Sequence, residues 1–205
     1  CRYDFWADYG AGWYNDHHFH YGYVLYSAAV LAKFDPAWGQ RNKPFLMDLV
    51  RDIANPVADE YFTAFRMFDF YVGHSWAGGL FRGERNQEST SEAVNAWYGI
   101  WLLGKALNDP VVETLGGTLL VNEAKAAQSY WHMSSKHSSF DSPFADHKMT
   151  GILWGSGANY GTFFGANPEF IHLIQMLPFS PITEFLVPTD YVKEQWEVLK
   201  NTHQG

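Results

Sequence analysis

The chain has 205 residues, 47% hydrophobic and 18% charged, which excludes a disordered segment and leaves apolar mass for one large core or two small ones. Acidic residues outnumber basic ones by 22 to 14, a net charge of −8, which argues against a nucleic-acid partner or an anionic membrane surface. With 16 Phe, 12 Tyr and 9 Trp, the rings must either fill a core or line something.

In chain order, the first element is a helix from His17 to Phe34. It carries one charge, Lys33, and its apolar residues cover every face, the pattern of a helix buried all round. Asp35-Pro36 stops it. From Arg41 to Ala54 charged residues alternate with Phe45, Leu46, Leu49, Val50 and Ile53 at helical spacing, a one-sided outer helix. The pattern repeats in Ser91 to Leu107, nearly uncharged, and Pro110 to Met133, more amphipathic with Glu113, Glu123 and Lys125. Asp109-Pro110 with Glu113 supplies an N-cap, a proline at the first helical position and an acid in the first turn. A third round runs from Asn167-Pro168, through Phe170 to Leu177, to a polar helix from about Thr189 to Asn201. Short strands are expected within Phe65 to Val72 and Gly151 to Phe164.

Three pairs of a buried helix followed by an exposed one predict half of a double-ring α/α toroid, with a flat bundle as the alternative. Long irregular segments, residues 1–16, 66–88 and 134–167, precede the three inner helices. Parallel inner helices bring these loops to one rim, where a functional site is expected. The single cysteine, Cys1, forms no internal disulfide, so the fold stands on packing. Neither a signal peptide nor a membrane span is visible, and the abrupt start reads as a piece cut from a longer protein.

Ionisable groups gather beside rings in Trp13-Tyr14-Asn15-Asp16-His17-His18-Phe19-His20. Asp16 is either an N-cap or a carboxyl desolvated among Trp13, Tyr14 and Phe19 that stays protonated to act as an acid. His17 and His20 share a helix face and, with Glu88, admit a zinc reading, but the His-Glu-x-x-His pattern and thiolate ligands are missing. In Asn86-Gln87-Glu88-Ser89-Thr90-Ser91-Glu92, Ser89-x-x-Glu92 is a capping box, whereas Glu88 precedes the cap. If the helix starts one turn earlier, Glu88 and Glu92 stack on one face. A neutral Asp16 opposite an ionised glutamate meets the requirement of glycoside hydrolysis. Between them, His74-Ser75-Trp76-Ala77-Gly78-Gly79 offers a ring for a sugar face or for loop packing.

The segments Tyr14 to Tyr23, His74 to Leu80, Asn86 to Ala93 and Ile174-Gln175-Met176-Leu177-Pro178 closely resemble glycoside hydrolase family 81, the endo-β-1,3-glucanases or laminarinases. The resemblance extends over essentially the whole chain. It implies an all-α catalytic domain, part of an (α/α)6 toroid, with an N-terminal β-sandwich and the rest of the ring absent from residues 1–205. It implies inverting hydrolysis of β-1,3-glucan, with Asp16 as general acid and Glu88 and Glu92 as the pair containing the general base. Glu88, free of capping duty, is favoured slightly as the base. The residues expected to touch sugar are His20, Tyr23, His74, Trp76, Gln87 and Tyr160. No cofactor, metal or obligate protein partner is implied, and the expected location is extracellular or at the cell wall. A β-glucan-binding receptor component is the second reading the resemblance allows.

Overall fold

The computed structural model describes residues 4–80 and 83–202; Cys1 lies outside them. The chain opens with a four-residue turn, α1 (Ala7–Gly10), and a 3-10 turn over Ala11–Trp13. Two helices follow almost without pause, α2 (His17–Phe34) and α3 (Pro36–Ala54). A loop carries strands β1 (Phe68–Asp69), β2 (His74–Ser75) and β3 (Asn86–Gln87), then come α4 (Thr90–Leu107) and α5 (Pro110–Tyr130). A second long loop bears β4 (Ile152–Trp154) and β5 (Ala158–Asn159). It leads to the short helices α6 (Pro168–Ile174) and α7 (Thr183–Leu186) and to α8 (Thr189–Thr202).

The helix boundaries follow local chemistry. Asp35 caps α3 by accepting from Trp38 N at 2.9 Å, with Pro36 at the first position. The Asp-Pro pair that ends one helix therefore starts the next, five residues earlier than the charge pattern alone predicted. Asp109 caps α5 in the same way, its Oδ1 accepting from Val111 N and Val112 N, while its Oδ2 pairs with Lys43 of α3 at 2.8 Å.

Helices α2, α4 and α5 pack side by side, with α3 against α2. The core runs through Leu25, Ala29 and Ala32 of α2, Val94, Trp97, Ile100 and Leu103 of α4, and Leu119, Ala124 and Ala127 of α5. Gly22 sets the distance between α2 and α4: a Cβ there would stand 2.5 Å from the Ala96 Cβ and 2.7 Å from the Ala96 Cα. Any larger residue would force the helices apart.

Two expectations need correction. Helix α2 is not buried all round: Tyr23, Val24, Val30 and Leu31 stand open. Its uniform apolarity therefore marks two faces, of which the described residues cover one. The third inner helix is shorter than its apolar run, because α6 stops at Ile174 before the Leu177-Pro178 pair.

The strands are small and local. β1 pairs antiparallel with β2, and β3–β4–β5 form an antiparallel three-stranded sheet. Phe68 faces Ser75 in the first, and Gln87 faces Leu153 in the second. The second sheet fastens the two long loops to each other at the N-terminal end of α4. No described helix is long and apolar enough to cross a membrane.

Candidate functional site

Asp16 occupies the N-cap position of α2, but its side chain makes no capping bond. Its backbone is left-handed, φ 56°, and its N–H donates to Ala77 O at 3.0 Å. The carboxyl is thus turned away from the helix whose end it marks. Gly79 makes this possible: a Cβ there would lie 2.0 Å from Trp13 O and 2.6 Å from Asn15 N. The Gly78-Gly79 segment therefore lies directly against the loop that presents Asp16, and Leu80 N closes the contact on Trp13 O at 2.8 Å.

Glu88 and Glu92 come from the start of α4. The helix begins at Thr90, so Glu88 precedes it and the two do not stack within one helix. Glu88 Oε1 accepts from Phe163 N at 2.9 Å. Glu92 is only half of a capping box: Ser89 Oγ accepts from Glu92 N at 3.4 Å, but the Glu92 carboxylate accepts from the Tyr23 hydroxyl at 2.9 Å. Its side chain is turned toward α2 and the acids, away from its own helix end.

The three carboxyls feel one another. Burial pushes Asp16 up to about 7, and the charges of Glu92 and Glu88 add to the effect. Burial also raises Glu88, opposed by the Phe163 N–H and reinforced by Glu92. Phe19, Ala77 and Ala93 form a small apolar cluster that joins α2, the loop whose Ala77 carbonyl receives the Asp16 N–H, and α4. Asp16 therefore holds its proton up to about pH 7.

Of the residues expected to touch sugar, Tyr23 and His20 lie beside the trio. Tyr23 is 42% exposed and bonds Glu92. His20 is half-buried, its proton affinity lowered by burial and partly restored by Asp8 and Glu92. Trp76 lines a cleft of about 470 Å³ with Tyr14, Arg66, Phe70, Gly79 and Arg85. Its indole N–H is fixed on Asp69 Oδ2 at 3.1 Å, an oxygen that also accepts from Arg85. The other three, His74, Gln87 and Tyr160, pack among neighbouring side chains. His74 is buried against Trp76 and Trp131, its Nδ1 bonded to Ser75 O. Gln87 is fully buried between His18, Ser75 and Glu123. Tyr160 stacks on His147 at 3.8 Å with its hydroxyl buried. His74 and Gln87 are thus enclosed, while the Tyr160 ring stays partly exposed. His17, read as a possible ligand, uses Nδ1 on Asp52 at 2.7 Å and Nε2 on Ala11 O at 2.8 Å.

Several supporting residues escaped the sequence reading. Arg66 binds Asp52, reaches the Tyr14 carbonyl at 3.3 Å and lies over the Tyr14 ring at 4.9 Å, clamping the loop before Asp16. Gln175 accepts from Thr90 N at 3.0 Å and donates to the Glu88 carbonyl and to Gly151 O. Gln175 stood within a recognisable motif, but no spacing rule assigns a buried amide its partners. Glu123 was read as part of the polar side of α5, yet it is fully buried. The signal was there: Gly116, Leu119, Leu120, Glu123, Ala124 and Ala127 share one helical stripe.

Known proteins match almost the whole chain. The family description "Glycosyl hydrolase family 81 C-terminal domain" matches residues 1–204. A glucan endo-1,3-beta-D-glucosidase of Arthroderma benhamiae is 43% identical over 195 residues, covering 94% of this chain and 22% of that protein. A protein of the same name from Glycine max is 42% identical over 209 residues, covering 97% and 31%. A solved mutant of a glycoside hydrolase family 81 protein from Clostridium thermocellum superposes with a TM-score of 0.80 at 33% identity, covering 92% of this chain and 27% of that one. The chain spans less than a third of the length of these relatives. A match from end to end, with identity well above the level at which folds drift apart, fixes the kinship: the chain belongs to glycoside hydrolase family 81.

Proposed function

We propose that this chain carries the acid and base of an endo-acting, inverting β-1,3-glucan hydrolase. The observation that carries the reading is the Asp16 carboxyl, held protonated up to about pH 7 beside Glu88 and Glu92. Asp16 donates its proton to the glycosidic oxygen as the bond to C1 breaks. The Glu88/Glu92 pair supplies the base, taking a proton from a water that attacks C1 from the opposite face. An inverting enzyme needs room for that water, so the acid and base carboxyls are expected roughly 6.5–9.5 Å apart in the substrate complex. The names of the relatives, glucan endo-1,3-beta-D-glucosidases at 34–43% identity, support β-1,3-glucan as substrate.

Residues 1–205 are read as part of a single (α/α)6 catalytic domain, completed by further helices and preceded by a β-sandwich. Tyr23 and His20 border the reacting bond, and the ring of Trp76 offers a flat apolar face to a sugar in the adjoining cleft. A site at the cell wall or outside the cell fits the substrate, and one relative is a primary septum glucan endo-1,3-beta-D-glucosidase of Schizosaccharomyces pombe.

Release of reducing sugar from laminarin by the full chain, with Asp16→Asn as control, tests the reading. Wild type is expected to cut and the variant to bind without cutting. A wild type that binds laminarin but releases nothing would favour the receptor reading instead.

A further inference from the structure

Glu123 takes no part in the chemistry above, yet among the described residues no other acidic side chain is as deeply buried. Its Oε2 accepts from Ser75 N at 2.8 Å and from Trp97 Nε1 at 3.0 Å. Gln87 Nε2 lies 3.4 Å from its Oε1, 2.9 Å from Ser75 Oγ and 3.3 Å from His18 Nε2. One side chain on α5 therefore ties together β2, β3 and α4, and reaches α2 through Gln87. Burial holds the Glu123 carboxyl protonated up to about 7 and pushes His18 down to about 3, so below neutral pH the pocket contains hydrogen bonds rather than charges.

Each tethered segment ends at a member of the acidic trio. Gln87 immediately precedes Glu88. β2 runs on to Ala77, whose carbonyl receives Asp16 N–H and whose own N–H donates to Asn86 O at 2.8 Å. His18 stands two residues beyond Asp16, and Trp97 lies on the helix that bears Glu92. We infer that Glu123 is a positioning residue: from α5 it fixes β2 and β3 against α4 and so sets the placing of Asp16 and Glu88. The inference rests on the reading of those two as acid and base. An apolar residue at position 123 leaves the Ser75 N–H and the Trp97 indole N–H buried without an acceptor, and the strands are then free to shift. A displacement of even about 1 Å at a catalytic group lowers turnover strongly while leaving the sugar-binding surface in place.

The test compares laminarin kinetics of the full chain with Glu123→Gln and Glu123→Leu, after circular dichroism has shown each to be folded. Glutamine keeps an accepting oxygen and the volume, so its kcat is expected within about threefold of wild type. Leucine is expected to lower kcat about tenfold or more with KM within about twofold. A folded Glu123→Leu with wild-type kcat, or one that changes only KM, overturns the inference, and so does an equal loss of kcat in both variants. If the leucine variant does not fold, Gln87→Leu, which cuts the link to β3 and keeps Glu123, decides by the same readings. Asp16→Asn runs alongside. Full activity in it overturns the acid–base reading and this inference together; an inactive Asp16→Asn beside a fully active Glu123→Leu overturns this inference alone.

Discussion

The neutral state of the Asp16 carboxyl follows from where the chain puts it: at a helix start on a left-handed backbone, without a capping bond, desolvated, and close enough to two glutamates to feel their charge. The same aspartate in a capping bond would accept hydrogen bonds that stabilise its charge and would titrate low. Replacement by asparagine keeps the shape and removes the proton. It is expected to lower laminarin turnover by about 10²- to 10⁴-fold, the usual share of general acid catalysis; a loss below about tenfold would mean another group delivers the proton. The pH profile carries the same information. An acid that must be protonated loses its function as pH rises, so kcat/KM is expected to fall through an alkaline limb near pH 7. A limb that survives unchanged in a partly active Asp16 variant would assign it to a different group.

Among the elements, the long helices were legible because each carries its own punctuation: Asp35-Pro36, Asp109-Pro110 and an apolar stripe of constant period. Trp97 fills the core as the inner-helix pattern required, with Tyr26 and Trp101 packed against it. What the pattern could not give was partnership. Helix α2 reads as buried on every side, but periodicity counts apolar faces and not the neighbours that cover them. Glu88 and Glu92 are four apart in sequence but belong to different local structures, because the helix begins between them. His74 and Gln87 belong to recognised motifs, yet their place is in the core, where they support the loops. Glu123 hid in plain view, a charged letter in a helix that tolerates charge elsewhere. At this scale the contact of α2 with α4 is the most exposed to test. Gly22→Ala places a Cβ within 2.5 Å of the Ala96 Cβ, and overpacking of this kind costs about 1–3 kcal/mol. The denaturation midpoint is expected to drop accordingly, and an unchanged midpoint would show that the two helices part without cost.

For the molecule as a whole, the rings that stood out in the composition have divided work. Trp97 and Trp131 are sealed in the core, while Tyr23 stands beside the acids, Tyr14 and Trp76 line the cleft, and Trp13 packs on Phe5 and Trp6. Two carboxyls, the buried Glu123 and the half-buried Asp16, contribute to the pH response of the fold. Asp16 and Glu123 both hold their protons to about pH 7 in the folded state, against about 4 in an unfolded chain. Folding therefore favours their protonated forms: this contribution to stability is complete below about pH 4 and is lost as pH rises through about 7. The buried His18 and His132, pushed down to about 3, act in the opposite sense up to the ordinary histidine range, so the component is read as a difference: in denaturant unfolding, Glu123→Gln is expected to lose its share of the decline relative to wild type. An unchanged slope in that variant would show that Glu123 is ionised throughout.

The central claim is that Asp16 and a glutamate partner act from opposite faces of the sugar with a water between them. Proton NMR of the first products released from laminarin by the full chain tests it most directly. Inversion predicts that new reducing ends appear first as the α-anomer and only later equilibrate to β. Reducing ends that appear first as the β-anomer would require a glycosyl-enzyme intermediate and would contradict the assignment.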